Sequence, residues 1–226
     1  MLSLILFDMD GTLIDSQDAI VSAMAAGFGA VGLPVPARPE ILSIVGLSLP
    51  RAIEVLAPST DAAARARIAE AYRGAFQIAR SSEAGEGAAP LYPGAREVLE
   101  ALAAEPETLL GVATGKARRG LEHVLDVHDL RRYFQTTQCA DPHPSKPHPA
   151  MLHAALSDTG VEADRAVMIG DTSFDMEMAA AAGMAAIGVT WGYHPAERLR
   201  AAGADCLIDS FAALPAALAS LPARAA

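Results

Sequence analysis

Short apolar segments recur along the chain, and patterns typical of amphipathic helices separate them. Their lengths suit buried strands, which commonly run for about four to eight residues. The clearest are Leu2–Phe7, Thr108–Ala113, Ala166–Gly170 and Ala185–Val189, and weaker ones are Phe134–Thr137 and Ala204–Ile208. Strands that alternate with helices favour parallel pairing through right-handed crossovers, with helices on both faces of the sheet. The sequence therefore predicts an α/β fold with a Rossmann-like parallel sheet.

The stretch from Ser16 to about Ala89 interrupts this alternation. It contains no convincing strand and shows helical patterns near 16–32, 38–45, 49–57 and 61–80. Ser81–Pro90 is small, polar and glycine-containing, which is typical of a linker. We therefore expect an α/β core made of residues 1–15 and 90–226, and a helical cap of residues 16–89 inserted after the first strand.

Charge and cysteine content narrow the class of protein. The 226 residues include 17 basic and 27 acidic side chains, giving a formal net charge of −10. This excess of carboxylates disfavours nucleic acid and anionic membranes as partners. Cys139 and Cys206 show no spacing typical of a metal site. The apolar N-terminal segment is followed directly by Asp8, which is not typical of a signal peptide. We expect a cytoplasmic protein without a signal peptide or membrane span, present as a monomer or dimer.

Polar residues follow several of the predicted strands. In open α/β sheets, ligands bind beyond the carboxyl ends of the strands. The chain has Asp8-Met9-Asp10-Gly11-Thr12 after the first strand, Thr114-Gly115-Lys116 after the second, Lys146-Pro147 before a helix, and Gly170–Asp175 after the fourth. We therefore expect four groups of complementary chemistry to converge on one edge of the sheet.

In order and spacing, these four motifs resemble those of the haloacid dehalogenase superfamily of phosphatases. The resemblance is carried by the DxDGT sequence at Asp8–Thr12, by Thr114, by Lys146-Pro147 and by the GDxxxD sequence at Gly170–Asp175. The helical insert lies where that family has its small mobile cap. More narrowly, the chain is similar to the phosphoglycolate phosphatase-like branch. The resemblance implies phosphoryl transfer through an aspartyl-phosphate.

Asp8 and Asp10 are the candidate catalytic pair. Carboxylates two residues apart share a face of a continuing strand and stay close in a turn, so one can attack phosphorus while the other transfers protons. The spacing does not decide between them. The resemblance implies that Asp8 is the nucleophile and that Asp10 protonates the leaving alkoxide, then accepts a proton from water. The alternative is a pair that only caps a turn.

The resemblance also implies Mg²⁺ as the cofactor. Carboxylates crowded around a phosphate repel it, and a hard cation with oxygen ligands offsets that repulsion. The implied ligands are Asp8, Asp171 and the backbone carbonyl of Asp10. Asp175 follows Asp171 by one helical turn and is assigned a metal-supporting role. For Asp175 the alternative is an acid that the helix dipole favours at a helix N-terminus.

Lys146, Thr114 and Gly115 are the candidate phosphate-binding residues. Lys146 supplies a positive charge for phosphate oxygens and for the Asp8 carboxylate. Thr114 and Gly115 offer a hydroxyl and backbone N–H groups at the start of a helix. The alternatives are an ordinary surface lysine and a simple threonine N-cap.

Residues outside the four motifs give weaker indications. Arg51 of the cap could pair with a substrate carboxylate or a second phosphate, and the alternative is a surface arginine at a helix start. Lys116 and the two arginines that follow it are expected on a solvent-exposed helix face. His143 and His148 flank Lys146, and we expect them to pack or form hydrogen bonds within the loop rather than bind a metal.

The sequence thus predicts a Mg²⁺-dependent phosphatase that acts on a small phosphorylated metabolite, with phosphoglycolate as the leading candidate. Two alternatives stay open on the same scaffold: a phosphosugar mutase similar to β-phosphoglucomutase, and a sugar-phosphate phosphatase. A dehalogenase is disfavoured because Asp10, Lys146 and Asp171 together suit a metal–phosphate site. A phospho-accepting signalling module or a non-catalytic binder is disfavoured by Asp10 and by the cap.

Overall fold

A computed structural model describes residues 2–81 and 89–221, except for the side chains of residues 79–81. Most of the predicted linker Ser81–Pro90 lies outside these described residues. Within them, six parallel strands form one sheet in the order β3-β2-β1-β4-β5-β6. The strands are β1 (Ser3–Phe7), β2 (Thr108–Ala113), β3 (Phe134–Gln138), β4 (Ala166–Gly170), β5 (Ala185–Val189) and β6 (Cys206–Ile208). The predicted α/β fold with a Rossmann-like sheet is confirmed.

The position of β1 at the centre of the sheet determines where the site forms. β1 pairs with β2 along one side and with β4 along the other. All three strands run in the same direction, so the residues that follow them meet at one edge. Asp8, Thr114 and Asp171 each come directly after one of these strands.

Two layers of helices cover the sheet. Side chains alternate along β1, so Ile5 and Phe7 belong to one hydrophobic cluster and Leu4 and Leu6 to the other. The first cluster contains residues of α5 (Ala95–Ala103), α6 (Arg118–Val127) and α10 (Leu214–Ser220). The second contains residues of α7 (Ala150–Thr159), α8 (Ser173–Ala181) and α9 (Ala196–Ala201). Both faces of the sheet are therefore buried, as the apolar strands predict.

Two of the predicted boundaries in the α/β core are wrong for local reasons. A helix is expected directly after Lys146-Pro147, but α7 begins only at Ala150, because a proline at 149 disfavours helical backbone at His148. The strand predicted from Ala204 begins at Cys206. There, Gly203 has a φ of +102° and the Ala204 N–H donates to the Leu199 carbonyl, so both residues belong to the turn that ends α9.

The described part of the insert contains four helices: α1 (Gln17–Gly29), α2 (Arg38–Leu42), α3 (Leu49–Leu56) and α4 (Ala62–Ser81). They share a hydrophobic cluster that includes Met24, Phe28, Ile41 and Ile53 and is separate from the two clusters beside the sheet. Ile14 and Leu91 form an antiparallel bridge, so the segments that enter and leave the insert run side by side. On this basis we propose that residues 16–89 form a cap domain hinged at these two segments.

None of the described helices combines the length and the apolar character that crossing a bilayer requires.

Candidate active site

Asp8 lies at the centre of the candidate site and is buried. Its Oδ1 accepts a hydrogen bond from the Met9 N–H at 2.7 Å. Its Oδ2 accepts no hydrogen bond but lies 3.0 Å from the Lys146 ammonium nitrogen. Burial raises the pKa of Asp8 to about 6, and the charges of Asp175 and Asp10 add to the rise while Lys146 opposes it. Asp8 thus presents a poorly satisfied carboxylate oxygen within the site.

Lys146 reaches this carboxylate from the loop before α7. Its side chain is fully buried, and its Nζ donates to Asp175 Oδ1 at 2.6 Å. Burial alone lowers the pKa of Lys146, but the carboxylates of Asp175 and Asp8 outweigh it and the net pKa is raised. The alternative of an ordinary surface lysine is wrong, because this lysine is a permanent buried cation between two acids.

Asp171 follows β4 and lies beside Asp8. Its Oδ1 accepts from the Thr12 hydroxyl at 2.9 Å, and its Oδ2 accepts from the Tyr193 N–H at 2.8 Å. Burial raises the pKa of Asp171 well above its usual value, and the charges of Asp175 and Asp8 reinforce the effect. A Cβ at Gly11, where φ is +85°, would overlap this carboxylate. The motif glycine therefore provides both the turn and the space for Asp171.

Asp175 belongs to the same acidic cluster and also caps a helix. Its Oδ2 accepts from the backbone N–H and the hydroxyl of Thr172, at 3.0 and 2.7 Å, in a capping box at the start of α8. The two interpretations made from the sequence are compatible, because the other oxygen of Asp175 accepts from Lys146. The carboxylate thus links the helix terminus to the site.

Carboxylate oxygens of Asp8, Asp171 and Asp175 lie within 4.8 Å of one another, and all three residues are buried. Three buried acids share one buried lysine, so the negative charge is under-compensated. An unsatisfied Asp8 oxygen and a set of hard oxygen donors fit Mg²⁺, which binds through one or two carboxylates together with phosphate and water.

The side chain of Asp10 points away from this cluster. Its Oδ1 accepts from the Ser16 hydroxyl at 2.6 Å, and its Oδ2 lies 2.9 Å from the ammonium of Lys116. The Tyr193 hydroxyl lies 3.0 Å from the Ser16 hydroxyl. These contacts fix the Asp10 carboxylate in the wall of the cavity.

Lys116 does not lie on an exposed helix face, so that prediction is wrong. The side chain precedes α6, is only 13% exposed, and places its ammonium nitrogen 5.7 Å from the centre of the Phe76 ring of the cap. The chain contains only two lysines, and both contact a candidate catalytic aspartate. In the sequence, the scarcity of lysine is the one feature that indicates a role for Lys116.

Thr114 and Gly115 lie beside Asp8 and Asp10 in the wall of a cavity between the cap and the core. Thr114 is buried, and its hydroxyl accepts from the Lys116 N–H at 3.3 Å. Gly115 touches the cap: a Cβ there would lie 2.8 Å from the carbonyl oxygen of Leu47. Both residues therefore border the same cavity as Asp8.

The structure does not bring Arg51 to this cavity. Its guanidinium contacts Glu54 at 3.0 Å, its side chain is 58% exposed, and it does not line the cavity. Arg51 lies exposed in the first turn of α3, so the alternative of a surface arginine agrees with the structure. The two histidines also behave as predicted: His143 contacts Gln138 Oε1, and His148 accepts from the Ala150 N–H.

Sequence reasoning missed the residues that fix these side chains. Thr12, Ser16 and Tyr193 orient Asp171 and Asp10. His194 joins the core to the cap, since its Nδ1 accepts from the Ser173 N–H at 2.9 Å and its Nε2 lies 3.0 Å from the Ser43 carbonyl oxygen. Thr12 lies within the DxDGT motif, whereas Ser16 and His194 carried no pattern of their own.

Comparisons with known proteins agree with this geometry. The family model described as haloacid dehalogenase-like hydrolase matches residues 5–189. "Probable phosphatase IndB" of Dickeya dadantii is 37% identical over 212 residues, covering 92% of this chain and 90% of that protein. A phosphoglycolate phosphatase of Vibrio vulnificus is 30% identical over 221 residues, covering 94% of each. The solved structure of a hydrolase from Pseudomonas syringae superimposes with a TM-score of 0.85 at 25% identity, covering 98% of this chain and 99% of that one. The chain therefore belongs to the haloacid dehalogenase-like hydrolase family.

Proposed function

We propose that this protein is a Mg²⁺-dependent phosphatase that hydrolyses a small phosphomonoester through an aspartyl-phosphate. The observation that carries the proposal is the buried Asp8 carboxylate, which has an oxygen free of hydrogen bonds and is paired with the only fully buried lysine among the described residues. The relatives named as phosphatases support the same class of reaction.

In the first step, an oxygen of Asp8 attacks phosphorus, and the bond from phosphorus to the ester oxygen breaks. Asp10 donates its proton to the leaving oxygen, which departs as an alcohol. In the second step, Asp10 takes a proton from water while the water oxygen attacks phosphorus and releases Asp8 and inorganic phosphate. Ser16 and Lys116 hold Asp10 in place for both transfers.

The charges around Asp8 determine how a phosphate would be bound. Lys146, Thr114 and the Gly115 N–H supply a cation and hydrogen-bond donors on one side. We assign Asp8, Asp171 and the backbone carbonyl of Asp10 as Mg²⁺ ligands, supported by Asp175. When bound, Mg²⁺ offsets the repulsion between the phosphate and these carboxylates.

Phosphoglycolate is the first ester to assay, because a relative that is 30% identical carries that name. A sugar phosphate is the second, and a mutase would return an isomeric sugar phosphate where a phosphatase returns free sugar and phosphate. The small phosphorylated metabolite as partner, the cytoplasmic location and the monomeric or dimeric state stay predictions.

The test measures phosphate release from a panel of phosphomonoesters, with Mg²⁺ and with EDTA. We expect release only with Mg²⁺, and none from Asp8→Asn, because an amide is a far weaker nucleophile than a carboxylate. Asp18→Asn is the matched control, since the Asp18 side chain is 92% exposed on α1 and pairs with Arg38. Release of phosphate by Asp8→Asn at the wild-type rate would refute the assignment of the nucleophile.

A further inference from the structure

The cavity above Asp8 and Asp10 is large and has an apolar roof. Its volume is about 490 Å³, within the range of about 300–1,000 Å³ that is common for small-molecule sites. The core supplies the polar floor that contains both aspartates. The cap supplies the roof, through Met24, Ile44, Leu49 and Phe76 among others. A phosphate bound at Asp8 would thus direct its ester group towards apolar side chains.

A small charged leaving group, such as the two-carbon acid of phosphoglycolate, does not match this roof. A carboxylate placed against these apolar side chains would lose water without gaining a partner from them, which is unfavourable. Of the cations that line the cavity, Lys116 already contacts Asp10 and the Phe76 ring. Arg73 and Arg119 also line it, and both are exposed to solvent.

Four polar side chains of the cap also line the cavity: Ser48, Tyr72, Arg73 and Gln77. Tyr72 lines the cavity, and its ring packs against Phe76 with centroids 5.0 Å apart. Its hydroxyl forms no hydrogen bond with any other residue that the structure describes. Burial raises the pKa of this tyrosine, and the nearby charge of Asp10 adds to the rise, so the phenol keeps its proton and can donate it. Tyr72 therefore offers a hydrogen-bond donor beside a broad apolar surface.

We propose that this site selects phosphomonoesters whose leaving alcohol carries a bulky, largely apolar body, such as a ring or a branched chain with one hydrogen-bond acceptor. The inference rests on the proposed phosphatase function, because it assumes that phosphate is bound at Asp8. It replaces a two-carbon acid with a larger amphipathic alcohol as the preferred leaving group, and it assigns that choice to the roof of the cap.

Binding can be measured apart from turnover by titrating non-hydrolysable phosphonates calorimetrically in the presence of Mg²⁺. We expect affinity to rise along the series methyl-, propyl- and butylphosphonate by up to about fourfold for each added methylene that reaches the roof. Phenylphosphonate should bind more tightly than phosphonoacetate, which carries a carboxylate instead of a ring. Equal affinity along the alkyl series, or tightest binding of phosphonoacetate, would overturn the inference.

Variants of α3 test whether the roof causes the dependence of affinity on apolar size. Leu49→Ala should weaken binding of butyl- and phenylphosphonate by about tenfold and leave methylphosphonate unchanged, because only the larger groups reach this position. Leu49→Arg should shift the preference towards phosphonoacetate by adding a cation to the roof. Val55→Ala is the control, since Val55 lies on the same helix, is 46% exposed and does not line the cavity. Equal effects of Leu49→Ala and Val55→Ala would refute the role of the roof.

Hydrolysis and binding, measured on the same proteins, distinguish this inference from the proposed function. Monoalkyl phosphates share nearly the same leaving-group chemistry, so a rise of kcat/KM along the alkyl series reports contacts with the roof rather than the ease of departure. If no ester is hydrolysed but phosphonate affinity rises with apolar size, the phosphatase proposal fails and the selection of apolar groups stands. If esters are hydrolysed with no dependence on apolar size, the phosphatase proposal stands and the selection fails.

Discussion

Gly115→Ala is expected to disable the enzyme without unfolding it. Gly115 has no positive φ, so alanine causes no backbone strain there, and the only obstacle is the cap. The new Cβ would lie 2.8 Å from the carbonyl carbon of Gly46 and from the carbonyl oxygen of Leu47, and closer still to the Gly46 oxygen. These neighbours are backbone atoms, so no side-chain rotation relieves the overlap.

The size of the effect follows from the distances. Ordinary contact with a Cβ begins at 3.4 Å, so the Gly46–Leu47 segment must recede by on the order of 1 Å. Such a displacement also breaks the adjacent hydrogen bond from the Ser48 N–H to the Ser145 hydroxyl, now 2.8 Å. A displacement of about 1 Å can lower catalysis by about 100-fold, because substrate and catalytic groups lose alignment. Overpacking costs about 1–3 kcal/mol of stability.

The assay compares kcat/KM and thermal unfolding of Gly115→Ala with those of Gly29→Ala. Gly29 ends α1, and a Cβ there meets nothing within 4 Å, so the control adds the same methyl group without a clash. We expect a loss of about 100-fold only for Gly115→Ala, together with a fall in Tm of about 2–12 °C. Activity of Gly115→Ala within about twofold of wild type would show that the cap does not rest on Gly115 during turnover.

Four further outcomes are expected. Mg²⁺ at about 100 times its dissociation constant should raise Tm by roughly 5–10 °C, and Asp171→Asn should abolish this shift. Lys116→Met should lower kcat by up to about 100-fold, because Asp10 loses the cation that orients it. Acidification should weaken the contact between cap and core in wild type but not in His194→Gln. Burial lowers the pKa of His194 below 6.5, so the stability that neutral His194 contributes is complete above that pH and is lost as the pH falls. Arg51→Ala should leave kcat and KM within about twofold of wild type, because Arg51 is exposed and pairs with Glu54.

For each of these four predictions, one result would contradict the reasoning. An equal Mg²⁺ shift in Asp171→Asn would remove that residue from the metal site, and wild-type kcat in Lys116→Met would leave its ion pair without a catalytic role. For His194→Gln, unfolding profiles that keep the wild-type pH dependence would assign the acid effect to other groups. A raised KM in Arg51→Ala would return this arginine to the substrate site.

Much of the core could be predicted because its signals are local. The apolar segments that became β2, β4 and β5 match the observed strands residue for residue. Asp8, Thr114 and Asp171 could be placed at one edge because parallel strands bring their carboxyl ends together. Lys146 came from the resemblance, since nothing in a proline-rich loop indicates that its lysine is buried between two acids.

The helices of the cap could be predicted from the sequence, but the residues that line the cavity could not. The pattern predicts which side of α1, α3 and α4 is apolar. It does not predict which of these apolar residues pack against the other cap helices and which line the cavity beside Asp8. Leu49 and Phe76 line the cavity, whereas Arg51, two residues after Leu49, points to solvent. That difference depends on how α3 is rotated against the core, which no local pattern records.

By itself, the sequence determined the parallel sheet, the helical insert and the types of residue at the strand ends, because each depends on hydrophobic period or on short motifs. Only the tertiary structure decided the partners of those groups: Lys116 on Asp10, His194 on the cap, Asp175 on Lys146, and an apolar roof over the aspartates. The physical reason is that charge pairing and burial depend on contacts between residues far apart in the chain, and such contacts exist only once the helices have packed.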